Sequence, residues 1–168
     1  VAPMMDCTDK HDRYFLRLIS KNTKLYTEMI VAKAIIRGDR DFLLNFNPKE
    51  KPLALQIGGS EPKELAEASR IAEGYGYDEV NLNLGCPSRK VQKNKFGACL
   101  IKEPELVGQC VSEMKNACNL PITIKTRIGY DDFEDYEYLK KFLIVIKNAG
   151  SKLFVIHARR AILNKLTP

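Results

Sequence analysis

The 168-residue chain contains no run of about eighteen apolar residues, the least that crosses a membrane as a helix. Its start, Val1-Ala2-Pro3-Met4-Met5-Asp6, lacks the basic, apolar and small-residue regions of a secretory leader. Membrane insertion and export are not expected, and a cytoplasmic location is. Histidine is scarce: only His11 and His157 occur, far apart, and no Cys/His cluster has the spacing of a zinc site, so no metal is expected. The five cysteines are odd in number and form no C-x-x-C pair, which points to free thiols in a reducing compartment rather than to a disulfide framework. Neither G-x-G-x-x-G nor a Walker sequence is present, so a Rossmann or P-loop reading lacks its phosphate-cradling turn.

The length suits one domain able to bury its own core. A formal charge of +6, from 27 basic and 21 acidic residues, leans towards a polyanionic partner without specifying one. Short β-type runs alternate with amphipathic stretches throughout, the pattern of parallel strands joined by helical crossovers. Strands are predicted at Val1–Met5, Leu25–Met29, Leu53–Ile57, Glu79–Leu84, Ile122–Arg127 and Leu153–His157. Thr8 is expected to cap a helix burying Phe15, Leu18 and Ile19, and Ser60 one burying Leu65, Ala68, Ala72 and Tyr75. A helix over about 104–117 places Val107, Cys110, Val111 and Met114 on one stripe, making Cys110, and Cys118 just beyond, core cysteines. A last helix turns Leu139, Leu143 and Ile146 inward before Gly150. The repeat of about 30 residues is that of a β/α barrel, whose interior takes small and branched side chains; six units fall short of eight.

Polar residues cluster at strand C-terminal ends, the edge where parallel α/β sheets carry their ligands. In Asn83-Leu84-Gly85-Cys86-Pro87 a strand enters a turn that takes the thiol off the pleat. An ordinary thiol, titrating near pH 8.5, can give a proton at neutral pH as well as attack; a buried structural cysteine is the alternative. The following run, Ser88 to Gly97, holds Arg89, Lys90, Lys93 and Lys95 and no acid, as a solvated loop or a phosphate contact would. Lys125 and Arg127 point to one side of their strand. Lys125 suits the stabilisation of negative charge on a reduced flavin, unless it pairs with Glu28. His157 and Arg159 end another strand. Gln56-Ile57-Gly58-Gly59-Ser60 leaves backbone open to a flat ligand.

These segments, together with Tyr26-Thr27-Glu28-Met29, Ala34-Ile35-Ile36-Arg37-Gly38-Asp39-Arg40, Phe96-Gly97-Ala98-Cys99-Leu100, Lys125-Thr126-Arg127-Ile128-Gly129 and His157-Ala158-Arg159, resemble the tRNA dihydrouridine synthases, within them the branch acting on D-loop uridines 20 and 20a. The resemblance spans almost the whole chain and is specific through the order and spacing of the motifs. It implies a TIM (β/α)8 barrel holding FMN, with NADPH as reductant and tRNA as partner. By position it makes Cys86 the acid that protonates uracil, and Pro3, Met4, Gln56, Lys125 and His157 flavin contacts. Asn83 and Arg127 become substrate-positioning groups, and Arg159, Arg89 and Lys90 tRNA contacts. A base must leave its stack to reach such a site, which an exposed loop permits.

Two departures stand out. Where this branch commonly has Trp, the chain has Cys7. The sequence also looks cut at both ends. Residues 1–168 are read as a partial FMN-binding barrel of about six units, without the last two strands and the helical tRNA-binding domain, so the isolated chain is expected to be weakly active or inactive. Other FMN barrels of the dihydroorotate dehydrogenase type, or a non-catalytic RNA-binding remnant, are the competing readings.

Overall fold

Three strands in the middle of the chain put alternate residues on opposite faces, and that period of two sets the architecture. The computed structural model describes residues 1–163. In chain order it runs α1 (Lys10–Ile19), β1 (Leu25–Tyr26), β2 (Ile30–Val31), α2 (Ala32–Arg37), α3 (Arg40–Leu44), a 3-10 turn (Pro48–Glu50), β3 (Leu53–Gly58), α4 (Pro62–Gly74) and β4 (Glu79–Leu84). There follow α5 (Arg89–Lys93), a second 3-10 segment (Gly97–Lys102), α6 (Pro104–Ala117), β5 (Ile122–Arg127), α7 (Tyr136–Asn148) and β6 (Phe154–His157). The strands pair in parallel in the order β1-β3-β4-β5-β6, with β2 also on β3. The sheet curls into a half-barrel, the α/β arrangement expected for part of a TIM barrel.

One face of the central strands, Leu53, Leu55, Ile57, Val80, Leu82, Leu84, Ile122 and Ile124, is buried in a single core with Leu65, Ala68 and Ala72 of α4 and Val107, Val111 and Met114 of α6. Each such large aliphatic side chain stabilises the fold by about 1.5–3 kcal/mol. The stripe expected on α6 is therefore observed, and Cys110 and Cys118 are core residues, their thiols pushed up in pKa chiefly by burial. The opposite face differs from the small, branched interior expected. It carries Gln56, Glu79, Asn81, Asn83 and Thr123, all buried. Polar groups are tolerated there because they bond one another: no buried side-chain nitrogen or oxygen among the described residues lacks a partner.

Several expectations are corrected. Val1–Met5 forms no strand. Met4 N–H donates to the Thr8 hydroxyl, which donates back to the Met4 carbonyl, so the segment folds on itself. Thr8 is thus occupied, and Asp9 caps α1 by accepting from His11 and Asp12 N–H. The buried side of α1 is Arg13 and Arg17, while Phe15, Leu18 and Ile19 are exposed. The cause is local polarity. Arg13 pairs with buried Glu50 at 2.6 Å, and Arg17 donates to the carbonyls of Glu50, Ser20, Lys21 and Pro52. Glu61, not Ser60, begins α4, and Tyr75 is only partly buried. In α7 the fully buried pair is Phe142 and Ile146, with Leu139 and Leu143 packed at the margin. The strand expected at Leu25–Met29 is confined to β1, because Thr27 turns its hydroxyl to accept from Gln56 N–H, and β2 forms just beyond the expected range.

Candidate active site at the strand ends

β4 ends in the Cys86 turn, and Asn83 holds that turn from below: its Oδ1 accepts the N–H of Gly85 at 3.0 Å and of Cys86 at 2.9 Å. From the other side Ala98 N–H donates to the Cys86 carbonyl at 3.0 Å. Gly97 makes that approach possible. Its φ is +74°, and a Cβ there would lie 2.5 Å from Val91 Cγ1 and 2.6 Å from the Cys86 carbonyl oxygen. Gly85 needs no such freedom, since a Cβ at that position meets only ordinary contacts. Ser88 caps α5 by accepting from Val91 N–H, so the basic run is partly helical rather than a plain loop. The openness expected beside Gly58 and Gly59 is also absent: Phe96 and Met29 fill the space at Gly58, Leu65 and Ala32 that at Gly59.

Pro3, Gln56, Asn83, Cys86, Lys125 and Arg127 come together around one cavity of about 200 Å³, with Met5, Met29, Gly85 and Pro87. Met5 rather than Met4 lines this cavity, and both side chains are exposed. A larger groove of about 1110 Å³ adjoins it through the shared Met5 and Met29 and reaches Lys90. Register places Asn83 beside Lys125, and Arg127 beside His157. His157 and Arg159 lie outside the small cavity and are exposed, as are Arg89 and Lys90.

The electrostatics are cationic. Lys125 is half-buried with no carboxylate partner among the described residues. Burial first, then the neighbouring Arg127, pulls its pKa down. Glu28 does not pair with it; that carboxylate accepts the Asp6 N–H instead. Arg127 Nε donates to the Gly85 carbonyl at 2.7 Å and so braces the Cys86 turn. Its own pKa is lowered by burial and by Arg159. His157 is held below its ordinary value mainly by the charge of Arg127. A thiol sharing a cavity with two cations that have no carboxylate partner among the described residues suits an anionic or electron-rich ring that accepts both a proton and charge stabilisation. No cluster of three metal-ligating side chains occurs among the described residues, and none of their helices is long and apolar enough to cross a membrane.

The family model for dihydrouridine synthase matches residues 1–167. Over its full length the chain is 56% identical to the tRNA-dihydrouridine(20/20a) synthase of Synechocystis sp. and covers 50% of that protein. It is 54% identical to the enzyme of that name from Vibrio parahaemolyticus, covering 52%, and 51% identical to that from Escherichia coli, covering 51%. The chain belongs to the dihydrouridine synthase family, and it spans about half the length of these curated relatives.

Proposed function

We propose, with family membership as the premise, that the full-length protein containing this chain reduces uridine to 5,6-dihydrouridine in the D loop of tRNA, and that it does so in the cytoplasm. The family generally uses FMN and NADPH. The residues at the cavity fit FMN: a half-buried lysine with no counter-ion among the described residues offers charge to an electron-rich ring edge, and Gln56 and Asn83 each keep one N–H beyond the bonds they make to one another and to Asn81. When bound, FMN would supply the hydride equivalent that, with the proton from Cys86, saturates the uracil 5,6 bond, and NADPH would restore it. Pro3, Gln56 and Lys125 would hold the cofactor from the cavity wall and Met4 and His157 from beyond it, while Asn83 and Arg127 orient the uracil.

Cys86 carries the acid step. Its thiol gives the proton that completes C5 of the ring, and the turn that bears it is fixed on both sides by Asn83 and Ala98. Lys125 and Arg127 offset negative charge that develops as the ring is reduced. Arg89, Lys90 and Arg159 meet the phosphates of tRNA, a contact that fixes orientation more than sequence. Residues 1–168 form part of the FMN-binding barrel, and the rest of the barrel with a helical tRNA-binding domain belongs to the remainder of the full-length protein.

The observation that carries this reading is the thiol of Cys86 at one cavity with Lys125 and Arg127, two cations without a carboxylate partner among the described residues. Its test is Cys86→Ala in the full-length protein, with dihydrouridine in tRNA read by nucleoside mass spectrometry. A loss of about 10²–10⁴-fold is expected, and an unchanged rate removes Cys86 from the acid role. The 168-residue polypeptide by itself is expected to hold FMN weakly; purification with stoichiometric flavin absorbance would refute that.

A further inference from the structure

Below Asn83 the polar face continues as one unbroken line of side chains. Asn83 Nδ2 donates to Gln56 Oε1 at 2.8 Å, and Gln56 Nε2 to Asn81 Oδ1 at 2.8 Å. Asn81 Nδ2 then donates to Thr123 Oγ1 at 2.9 Å, and the Thr123 hydroxyl to Glu79 Oε1 at 2.6 Å. Every donor in this line points towards Glu79. The direction has a chemical cause: a carboxylate only accepts, so Thr123 must spend its single hydrogen on Glu79 and can only accept from Asn81. Asn81 therefore presents its NH2 downward and its carbonyl upward, Gln56 does likewise, and Asn83 is left with Oδ1 facing the turn. There it accepts from both Gly85 and Cys86. Were the Asn83 amide reversed, its NH2 would face two N–H donors.

Both oxygens of Glu79 are held. Lys24 Nζ lies 2.7 Å from its Oε2, and the Tyr26 hydroxyl donates to Oε1 at 3.3 Å. Tyr26 stays a donor through the neutral range, since burial and the Glu79 charge push its pKa to about 12. The members come from three neighbouring strands whose register sets Gln56 beside Asn81 and Asn81 beside Thr123, so the line needs no loop to form.

We propose that Glu79 and Thr123 are positioning residues for the Cys86 turn: a one-way hydrogen-bond relay starting at Glu79 fixes the amide orientation of Asn83 and thereby the aim of the Cys86 thiol. The proposal rests on the functional reading above for its catalytic consequence, but its structural half is independent of it. Glu79 and Thr123 act only through the residues between, and line no part of the cavity.

The experiment uses the full-length protein with Thr123→Val, which removes the hydroxyl at constant shape, Glu79→Gln, which removes the fixed polarity, and Thr123→Ser, which restores the hydroxyl. Two readouts are taken on each folded variant: the amide proton shifts of Gly85 and Cys86 by ¹⁵N NMR, and kcat and KM for tRNA. Thr123→Val and Glu79→Gln are expected to move both amides upfield and to lower kcat about tenfold to a hundredfold, as a misaimed group does, with KM unchanged. Thr123→Ser should return both readouts to the parent values. Amide shifts that stay at their parent positions in folded Thr123→Val or Glu79→Gln overturn the relay. If the amides move as expected but Cys86→Ala keeps full activity, the functional reading fails and the relay stands as a device that orients the turn.

Discussion

β4 and β6 both end in residues singled out from the sequence, yet they live in different surroundings. β4 is buried along its whole length, has a strand on each side, and ends in a turn tied by Asn83, Ala98 and Arg127. β6 ends the sheet formed by the described residues: Ile156 is 43% exposed, and His157 is exposed and feels the charges of Arg127, Lys125 and Arg159. Within the described residues, one side of the site is fixed by packing and directional bonds, and the other is positioned mainly by backbone register.

The widest test of that contrast is in stability. Leu82→Ala, in the core of β4, should cost about 2–5 kcal/mol, as large-to-small core changes do. Ile156→Ala at the edge should cost under about 1 kcal/mol, in the range of surface changes. Urea unfolding of the 168-residue chain measures both. Equal costs would break the comparison, because they would mean that β6 is covered in solution.

A narrower contrast lies within the Cys86 turn. Gly97→Ala forces a side chain into φ +74° and onto Val91 and the Cys86 carbonyl. The left-handed backbone costs about 1–2 kcal/mol and the overpacking about 1–3 kcal/mol. Gly85→Ala meets only contacts of 3.6 Å or more and should stay within about 1 kcal/mol. Thermal unfolding that ranks them the other way would show that the turn is held at Gly85 instead.

The sequence revealed the central half of this picture more readily than the flanks. β3, β4, β5 and α6 follow from runs whose apolar periodicity agrees with their local propensity. α1 does not, since periodicity counts apolar side chains while the orientation of this helix is set by two arginines that meet the carboxylate and carbonyl of Glu50, distant in sequence. Val1–Met5 reads as a strand by composition, but Thr8 offers its backbone a closer partner. At the site, Cys86, Lys125 and Arg127 were visible as polar residues ending apolar strands. The relay beneath them depends on cross-strand register, which one sequence does not display. Its trace was present all the same: Glu79, Asn81 and Asn83 alternate along an otherwise apolar strand. Gly97, by contrast, reads only as one of several glycines until its neighbours are known.

The smallest effect separates the two sides electrostatically. Lys125 and His157 both titrate below their ordinary values, but burial leads for Lys125 and the charge of Arg127 leads for His157. Raising salt from about 0.05 to about 0.5 M should therefore return His157 towards 6.5 and leave Lys125 largely where it is, because exposed charges are screened and desolvation is not. Arg127→Gln should raise His157 further than Arg159→Gln does, following the order of causes. The sign for stability follows from proton binding: in the window between the lowered folded pKa of His157 and the unfolded value near 6.5 the unfolded chain holds more protons, so this contribution is present above 6.5 and is lost as pH falls through that window. NMR titration of the His157 ring and the Lys125 side chain at the two salt levels decides it. A His157 that ignores salt would place burial, not charge, at the edge of the sheet, and the contrast between β4 and β6 would lose its electrostatic half.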